Sequence, residues 1–366
     1  MSDKFGIACL GTTHPHVSVR LDVARRIDGI EVIGVADEDP ANAEGLTALA
    51  EHLEAPELSR EEMLARDDVH GVIVEPWTYE MVDTTLACLE AGKSVLVEKP
   101  AGSNPGDLER LVSGAEGKGA IVQVGYNFRF SPMVEFAKQV IEDGLLGKIV
   151  QSRVHAAGPA GDAVYRWFNL PGDIGGCFWE DGCHIMDLIV HLFGLPNNAT
   201  ARVSKFDSVS GEDSLEDAVV AALEWDEMLM AFDFTSWEAN DWLETWEFAF
   251  YGTEGTLLFQ MLPERYQLYL KQPRGGFRKG WTRWNETTFA VPWAGEPTPW
   301  EKWHVVANKS FFFKEIAAFR DAATGASPSP IPPAHARDVA LVMDACYRSS
   351  AEGGPIAVAA AEKSAS

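Results

Sequence analysis

The first third of the chain alternates short apolar runs with stretches whose apolar residues recur at helical spacing. The apolar runs have the length of strands and are Phe5–Leu10, Glu31–Ala36, Gly71–Val74, Ser94–Val97 and Ile121–Gly125. The helical pattern covers Val17–Arg26, Met81–Ala91 and Gly106–Lys118. Strands that alternate with helices in this way form a parallel sheet with both faces covered. The pattern therefore predicts a doubly wound α/β domain of the Rossmann type over residues 1–126.

A different pattern begins after Tyr126. Alternating apolar and polar residues, separated by turn signals, cover Ala218–Trp225, Met228–Trp237 and Thr245–Tyr251, which is typical of an antiparallel sheet. Ile149–His155 is a further predicted strand, and the predicted helices are Glu135–Asp143, Ser310–Ala322 and Ala334–Ala351. We therefore expect a second domain over residues 127–356 and a frayed tail at residues 357–366.

Composition and charge narrow the class of protein. The 366 residues include 30 basic and 55 acidic side chains, so the formal net charge is −25. Such a surface repels nucleic acid and anionic membranes, and neither is expected as a partner. The chain has no apolar run of about 18 residues and no signal-peptide pattern at its start. The five cysteines are scattered without a CxxC pair, so we expect a cytoplasmic protein without a disulfide framework.

The segment after the first strand occupies the place of a dinucleotide-binding turn. Such a turn presents backbone N–H groups at a helix N-terminus to a pyrophosphate. Of the G-x-G-x-x-G pattern only Gly11 is present, because Cys9 and His14 stand at the other glycine positions. Asp37 ends the second strand 26 residues after Gly11, where a carboxylate can accept hydrogen bonds from ribose hydroxyls. Glu38 follows, and no Arg or Lys stands beside it for a 2′-phosphate, which favours NAD over NADP as cofactor.

Five ordered sequence blocks resemble the glucose–fructose oxidoreductase/inositol dehydrogenase/MocA family. They are Ala91–Pro100 with its Glu98-Lys99-Pro100 end, Gln123–Pro132, Gly175-Gly176…His184…Asp187, Phe250–Thr256, and Tyr347-Arg348-Ser349. They cover nearly the full length in the family's order. The resemblance implies a Rossmann domain followed by an α/β domain with a large, mostly antiparallel sheet. It also implies an NAD(P)-dependent dehydrogenase or reductase of sugars, inositols or glycosides that forms a homodimer or homotetramer.

The resemblance also implies the catalytic residues. Lys99 is expected beside the nicotinamide and the substrate hydroxyl, where it can act as donor or base. His184 matches the family's catalytic histidine. Glu180 stands where the family has Asp, with Asp181 next to it as a substrate contact. Glu180 and His184 are four residues apart, so on a helix the carboxylate would lie beside the imidazole and raise its basicity.

Further contacts are expected from the same comparison of residues. The expected cofactor contacts, besides Lys99, are Gly11, Thr12, Thr13, His14, Asp37, Pro76, Trp77, Glu98 and Asn127. Trp77 departs from the family's polar residue and is expected to stack on the cofactor. Arg166 and Trp167 are expected to line the substrate pocket with Lys99, Asp181 and His184, and Arg129 to tie loops together. The tryptophans Trp237, Trp242, Trp246, Trp281, Trp284, Trp293, Trp300 and Trp303 either pack in the core and subunit contacts or form a sugar-stacking wall.

Several alternatives stay open from the sequence. His14 and His16 suggest a metal pair, but no third ligand is spaced nearby, so no metal is expected. A redox-neutral lyase or hydrolase with retained NAD is an alternative function, since an acid such as Glu180 can serve elimination. A non-catalytic sensor of dinucleotide or sugar is the other alternative, against which the presence of Lys99 and His184 argues.

Overall fold

A computed structural model describes residues 4–14, 16–158, 176–206, 216–238, 245–285 and 309–358. The chain separates into two compact units. The first holds the described residues up to 127 together with 309–337, and the second holds those of 128–285 and 338–358. The division after residue 127 lies beside the predicted boundary. Residues 309–337 belong to the first unit, although the sequence pattern placed them in the second domain.

Helices and strands lie where the periodicity predicts them, with ends that differ by three residues at most. The helices are α1 (His16–Ala24), α2 (Ala43–Leu53), α3 (Arg60–Ala65), α4 (Met81–Glu90), α5 (Pro105–Ala115), α6 (Pro132–Glu142), α7 (Cys183–Phe193), α8 (Lys309–Ala323) and α9 (Pro333–Glu352). The strands are β1 (Phe5–Leu10), β2 (Ile30–Ala36), β3 (Gly71–Val74), β4 (Ser94–Val97), β5 (Val122–Val124), β6 (Ile149–Ala157), β7 (Asn198–Ser204), β8 (Ala218–Trp225), β9 (Met228–Thr235), β10 (Glu247–Gly252), β11 (Gly255–Gln260), β12 (Arg265–Leu270), β13 (Gly280–Asn285) and β14 (Ile356–Ala357). The helices α2, α3 and α7 and the strands β7 and β11 to β14 were not among the predicted elements.

The first unit is a parallel sheet with strand order β2-β1-β3-β4-β5. The order reverses between β1 and β3, and the crevice at such a switch point is where doubly wound sheets bind ligands. The sheet is buried, and its core includes Ile7, Ile73 and Leu96. Phe312 and Phe319 of α8 complete this core. A helix some 190 residues after the last strand therefore covers the sheet, which no local pattern indicates.

The second unit is built on a large sheet with strand order β13-β12-β11-β10-β6-β9-β8-β7-β14. Neighbouring strands are antiparallel except for β6 and β9, which are parallel. This confirms the mostly antiparallel sheet that the family resemblance implied. Buried and exposed residues alternate along β9, so Met230, Phe232 and Phe234 face the core.

The chain end contributes to this sheet. Ile356 and Ala357 pair with Ala199 and Asn198 of β7. Ala357, which we expected in the frayed tail, is thus held by strand pairing, while residues 359–366 lie outside the described part. Among the described helices, none is long and apolar enough to cross a bilayer.

Candidate active site

The turn after β1 lies against the segment that follows β3. Gly11 has φ +87°, and a Cβ atom at this position would lie 2.3 Å from the backbone nitrogen of Pro76. The Thr13 N–H donates to the carbonyl of Glu75 at 3.1 Å. Only glycine combines this conformation with so close an approach. Gly11 therefore allows the turn after β1 to pack directly against the segment that follows β3.

Asp37 ties the same turn to the end of β2. Its Oδ2 accepts from both the backbone N–H and the hydroxyl of Thr12, at 2.6 Å each, and from Asn42 Nδ2 at 3.0 Å. Its Oδ1 accepts from the Asp39 N–H at 2.8 Å. The carboxylate already has a structural role within the protein, and a ribose hydroxyl would share it with these donors.

A cavity of about 700 Å³ opens beside this turn. Its walls include Gly11, Asp37, Pro76 and Trp77, which the sequence placed in the cofactor site, together with Glu38, Asp39, Arg60, Tyr79, Glu80 and Asp83. The indole N–H of Trp77 donates to Asp39 Oδ2 at 2.8 Å, and hydrogen bonds from the Ala41 N–H and from this indole lower the pKa of Asp39. The side chain of Trp77 is therefore fixed in orientation along one wall.

Arg60 is the residue of this cavity that the sequence pattern missed. It stands 22 residues after Glu38, and its Nη1 lies 2.9 Å from Glu38 Oε2. The expectation that no arginine is available for a 2′-phosphate was therefore wrong, because Arg60 is close to Glu38 in the folded chain although it is distant in the sequence. The guanidinium is nevertheless already paired with a carboxylate.

Three further expected cofactor contacts are buried. Beyond the cavity, Asn127 is buried, and neither its Oδ1 nor its Nδ2 has a hydrogen-bond partner among the described residues. A buried amide without partners is costly unless a ligand supplies them. Glu98 and Lys99 are buried at the end of β4, and the Lys99–Pro100 peptide bond is cis.

A buried charged cluster lies behind the end of β4. The guanidinium of Arg20, on α1, contacts Glu75 at 2.8 Å, Glu315 at 2.8 Å and also Glu98. All four side chains are fully buried. Burial raises the pKa of Glu75 to about 8, although the nearby guanidinium opposes that shift. Local periodicity cannot find this cluster, because its members come from four distant parts of the chain.

Two histidines border the same cluster. The rings of His14 and His16 pack edge to face with centroids 4.3 Å apart, and His16 Nδ1 lies 3.4 Å from Glu98 Oε2. Burial lowers the pKa of both imidazoles. One nitrogen of each histidine and one oxygen of Glu98 lie within 4.8 Å of one another. The premise that no third ligand is near these histidines was therefore wrong, because folding supplies Glu98.

The second unit carries the residues of the predicted catalytic motif. Phe178–Gly182 forms a π-helical segment that runs directly into α7. Glu180, Asp181 and His184 are all buried in this stretch, and the His184 ring lies 4.3 Å from that of Phe128. The segment is helical, which was the condition for the predicted Glu180–His184 contact, but π geometry is wider than the α-helical spacing on which that prediction rested. Single π turns occur frequently at functional sites.

A carboxylate from another part of the unit holds the start of this segment. Glu216 Oε1 accepts from the Phe178 N–H at 3.0 Å and from the Tyr347 hydroxyl at 2.5 Å. A Cβ atom at Gly176 would lie 1.6 Å from Glu216 Oε2. Burial raises the pKa of both Glu216 and Tyr347. This explains the second glycine of the Gly175-Gly176 motif and adds two residues that motif matching did not single out for a role.

Arg129 and Asp187 form a buried ion pair. The pair joins the turn Asn127–Phe130 to α7. This confirms the expectation that Arg129 ties parts of the chain together. The carboxylate of Asp187 is occupied by this pairing.

The remaining expected contacts are only partly described. Arg166 and Trp167 lie outside the described residues, as do Trp242, Trp293, Trp300 and Trp303. Trp246 is fully buried and donates to the Ala157 carbonyl at 2.6 Å, so it is a core residue. Trp237 is 47% exposed, and Trp284 on β13 is 38% exposed. The tryptophans therefore do not act as one set.

Comparison with known families settles the relationship. Residues 5–126 match the model described as "Oxidoreductase family, NAD-binding Rossmann fold", and residues 138–358 match "Oxidoreductase family, C-terminal alpha/beta domain" of the same GFO/IDH/MocA group. The chain belongs to this oxidoreductase family. The resemblance found in the sequence blocks is thereby confirmed over both domains.

Individual relatives are more distant. The scyllo-inositol 2-dehydrogenase (NADP(+)) IolW of Bacillus subtilis is 34% identical over 119 residues, 32% of this chain and 33% of that protein. The alignments with the curated relatives cover 33% to 47% of the length of those proteins. An oxidoreductase from Agrobacterium radiobacter, solved with NAD+, L-tartaric acid and magnesium, has a TM-score of 0.82 at 14% identity over 97% of this chain and 98% of that one. A levoglucosan dehydrogenase, solved with NADH and levoglucosan, has a TM-score of 0.78 at 18% identity over 98% of this chain and 100% of that one. At these identities the structures show the shared fold.

Proposed function

We propose that this oxidoreductase uses NAD to transfer a hydride between the nicotinamide and a hydroxyl-bearing carbon of a sugar, an inositol or a glycoside. The observation that carries the proposal is the crevice at the switch point of the first sheet. It combines the turn at Gly11 with the polar end of β2 at Asp37, and the buried amide of Asn127 is a further candidate contact. These are the features that a dinucleotide needs from a doubly wound sheet.

The charge of the cavity supports NAD rather than NADP. Its lining carries the carboxylates of Asp37, Glu38, Asp39, Glu80 and Asp83. The single guanidinium of this lining, on Arg60, is paired with Glu38. A 2′-phosphate would have to displace Glu38 from Arg60 while meeting the repulsion of the other carboxylates. The printed name of one relative contains NADP(+), so family membership does not decide this point.

The reaction roles are assigned to two segments. Alcohol oxidation requires a group that accepts the hydroxyl proton and a donor that stabilises the developing charge on oxygen. Lys99 is only 3% exposed, and a lysine ammonium group in a closed site can donate to a substrate oxygen or take part in proton transfer. We assign Lys99 and His184 to these proton-transfer roles, with Glu180 orienting the imidazole. The bound nicotinamide supplies the hydride acceptor or donor.

The substrate class is inferred from the names of relatives, which include a scyllo-inositol dehydrogenase and a levoglucosan dehydrogenase. Both names denote compounds with several secondary hydroxyls on a ring. Arg166, Trp167 and Asp181 remain the expected substrate contacts. Assembly as a homodimer or homotetramer remains a prediction from the family.

The direct test combines cofactor binding with turnover. The purified chain is incubated with NAD and a panel of inositols, sugars and glycosides, and reduced nicotinamide is followed by its absorbance. We expect turnover on at least one cyclic polyol, and quenching of tryptophan fluorescence when NAD binds beside Trp77. Lys99→Met is expected to retain NAD binding and to lose about 100-fold or more in kcat. Lys118→Met, at an exposed lysine, is the matched control and should behave as wild type.

Three results would contradict the proposal. Bound NAD without any reduced cofactor across the panel would exclude the dehydrogenase. Product formation with catalytic NAD and no net reduced cofactor would favour the redox-neutral alternative. A Lys99→Met variant with unchanged biological activity would favour a sensor.

A further inference from the structure

The start of α1 and the ends of β3 and β4 meet in a buried cluster of ionisable side chains. We call it the Arg20 cluster, and its members are His14, His16, Arg20, Glu75, Glu98 and Glu315. Each is at most 6% exposed. His14 and Glu98 are also expected cofactor contacts, whereas no role has been assigned to His16, Arg20, Glu75 or Glu315.

The cluster holds more carboxylates than guanidinium groups. Three carboxylates, Glu75, Glu98 and Glu315, surround the one guanidinium of Arg20. The ammonium group of Lys99 also acts electrostatically on the two imidazoles. A buried charge is costly unless it is paired or coordinates a metal ion. The carboxylates of the cluster therefore need partners, and a bound cation can be one of them.

Arg20 contacts only one oxygen of each of two carboxylates. Its Nη1 binds Glu75 Oε1 and Glu98 Oε2. The other oxygens, Glu75 Oε2 and Glu98 Oε1, are buried and have no hydrogen-bond partner among the described residues. Glu98 Oε1 lies 3.8 Å from His14 Nε2. The unused oxygen of Glu98 is thus turned toward an imidazole.

The donor atoms of three residues have the spacing of a metal site before the ion binds. His16 Nδ1 lies 3.4 Å from Glu98 Oε2, and one ligand atom each from His14, His16 and Glu98 lies within 4.8 Å of the other two. Around a tetrahedral ion with bonds of about 2.0–2.2 Å, ligand atoms are about 3.3–3.6 Å apart. A small rotation of the imidazoles would bring the set to that spacing.

We propose that His14, His16 and Glu98 bind one divalent transition-metal ion of the zinc class. Two imidazole nitrogens and one carboxylate oxygen suit zinc, cobalt or iron, whereas magnesium and calcium prefer oxygen ligands alone. The ion joins the start of α1 to the end of β4 and so stabilises the first unit. Because His14 and Glu98 are also expected cofactor contacts, metal binding is measured apart from NAD binding and turnover.

The test uses the full chain stripped of metal by a chelator and then titrated. Zinc binding is measured by calorimetry and by metal analysis after gel filtration, and cobalt binding by visible absorption. We expect one equivalent of metal ion per chain, a cobalt absorption spectrum typical of a low coordination number, and a Tm that is higher with metal than without it. His16→Gln is expected to weaken zinc binding at least about tenfold. His52→Gln changes a histidine of α2 outside the cluster and should bind zinc as wild type does.

The outcomes separate a metal site from a protonated cluster. Failure of the wild-type chain to retain zinc, with cobalt giving only the spectrum of the hydrated ion, would overturn the proposal. Equal zinc retention by wild type and by folded His16→Gln would overturn it as well. The wild-type stoichiometry and cobalt spectrum need no variant, so they decide the question even if His16→Gln does not fold.

Discussion

Replacing Gly11 by alanine would put a methyl group where the structure has no room for one. The residue has φ +87°, and the added Cβ would lie 2.3 Å from the nitrogen and 2.6 Å from the Cα of Pro76. Both contacts are with backbone, which cannot rotate away as a side chain can. The substitution therefore has to displace the segment that carries Trp77 and forms one wall of the cavity.

The cost has two parts. A left-handed conformation costs a residue with a Cβ about 1–2 kcal/mol, and forcing an additional methyl into a packed site costs about 1–3 kcal/mol. Their sum predicts a loss of about 2–5 kcal/mol in the free energy of unfolding. For a unit of this size, that corresponds to a decrease in Tm of about 4–20 °C.

Gly29 provides the matched control. Its φ is +83°, and a Cβ there would meet nothing within 4 Å. Gly29→Ala should therefore show only the conformational cost of about 1–2 kcal/mol. Gly29 precedes β2 and so lies at the amino-terminal ends of the strands, whereas Gly11 lies at their carboxyl-terminal ends. NAD affinity should therefore be unchanged.

The assay is urea unfolding of both variants, together with NAD titration followed by tryptophan fluorescence. We expect Gly11→Ala to be less stable than Gly29→Ala by about 1–3 kcal/mol and to lose NAD affinity. Equal stability of the two variants would refute the clash with Pro76. A destabilised Gly11→Ala with wild-type NAD affinity would refute the placement of the cofactor in this crevice.

Three further predictions concern other parts of the molecule. Glu38→Gln frees the guanidinium of Arg60 for a 2′-phosphate. In steady-state kinetics, the ratio of kcat/KM for NADP to that for NAD should rise about tenfold, equivalent to about 1.4 kcal/mol. An unchanged ratio would show that this pair plays no part in cofactor selection. His155 has a pKa raised to about 9, chiefly by its hydrogen bond with Asp233, so its stabilising effect is complete below the unfolded pKa of about 6.5 and is lost as the pH rises through about 9. The stability difference between wild type and His155→Gln should thus shrink with rising pH in chemical unfolding, and a constant difference would contradict the raised pKa. Glu216→Gln weakens the hydrogen bond that holds the π-helical segment, so the free energy of unfolding should fall by about 1–3 kcal/mol, as measured by calorimetry. In kinetics, kcat should fall while NAD affinity is retained. A wild-type kcat would show that the segment does not need this hydrogen bond.

Much of the architecture could be predicted from local pattern. The strands Phe5–Leu10, Gly71–Val74 and Ser94–Val97 were predicted with their observed ends, because each is a short apolar run bounded by turn residues. The helix α3 was missed although Ser59 and Glu62 form a capping box at its start, a signal that is visible in the sequence. The placement of α8 on the first sheet could not be predicted, since helical periodicity says that a face is apolar and not which sheet covers it.

The residues of the candidate site also fall into those that the sequence indicated and those that only the structure revealed. The family resemblance selected Lys99, Glu180 and His184, which are buried in the structure, and the turn position selected Gly11, which has a positive φ; the roles of these residues stay predictions. Motif spacing did not predict the anchor Glu216, because 38 residues separate it from Phe178. It also led to a wrong statement about Arg60, which is remote along the chain and adjacent in the cavity.

The sequence by itself determined the alternation of strands and helices, the family, and the residue types at the ends of β1, β2 and β4, since these depend on periodicity and spacing along the chain. Only the tertiary structure decided which charged groups are in contact. It places three carboxylates around Arg20, brings His14 and His16 close to Glu98, and pairs Arg60 with Glu38. The physical reason is that electrostatic interactions depend on distance in space and on burial, and both arise only when segments far apart in the chain pack together.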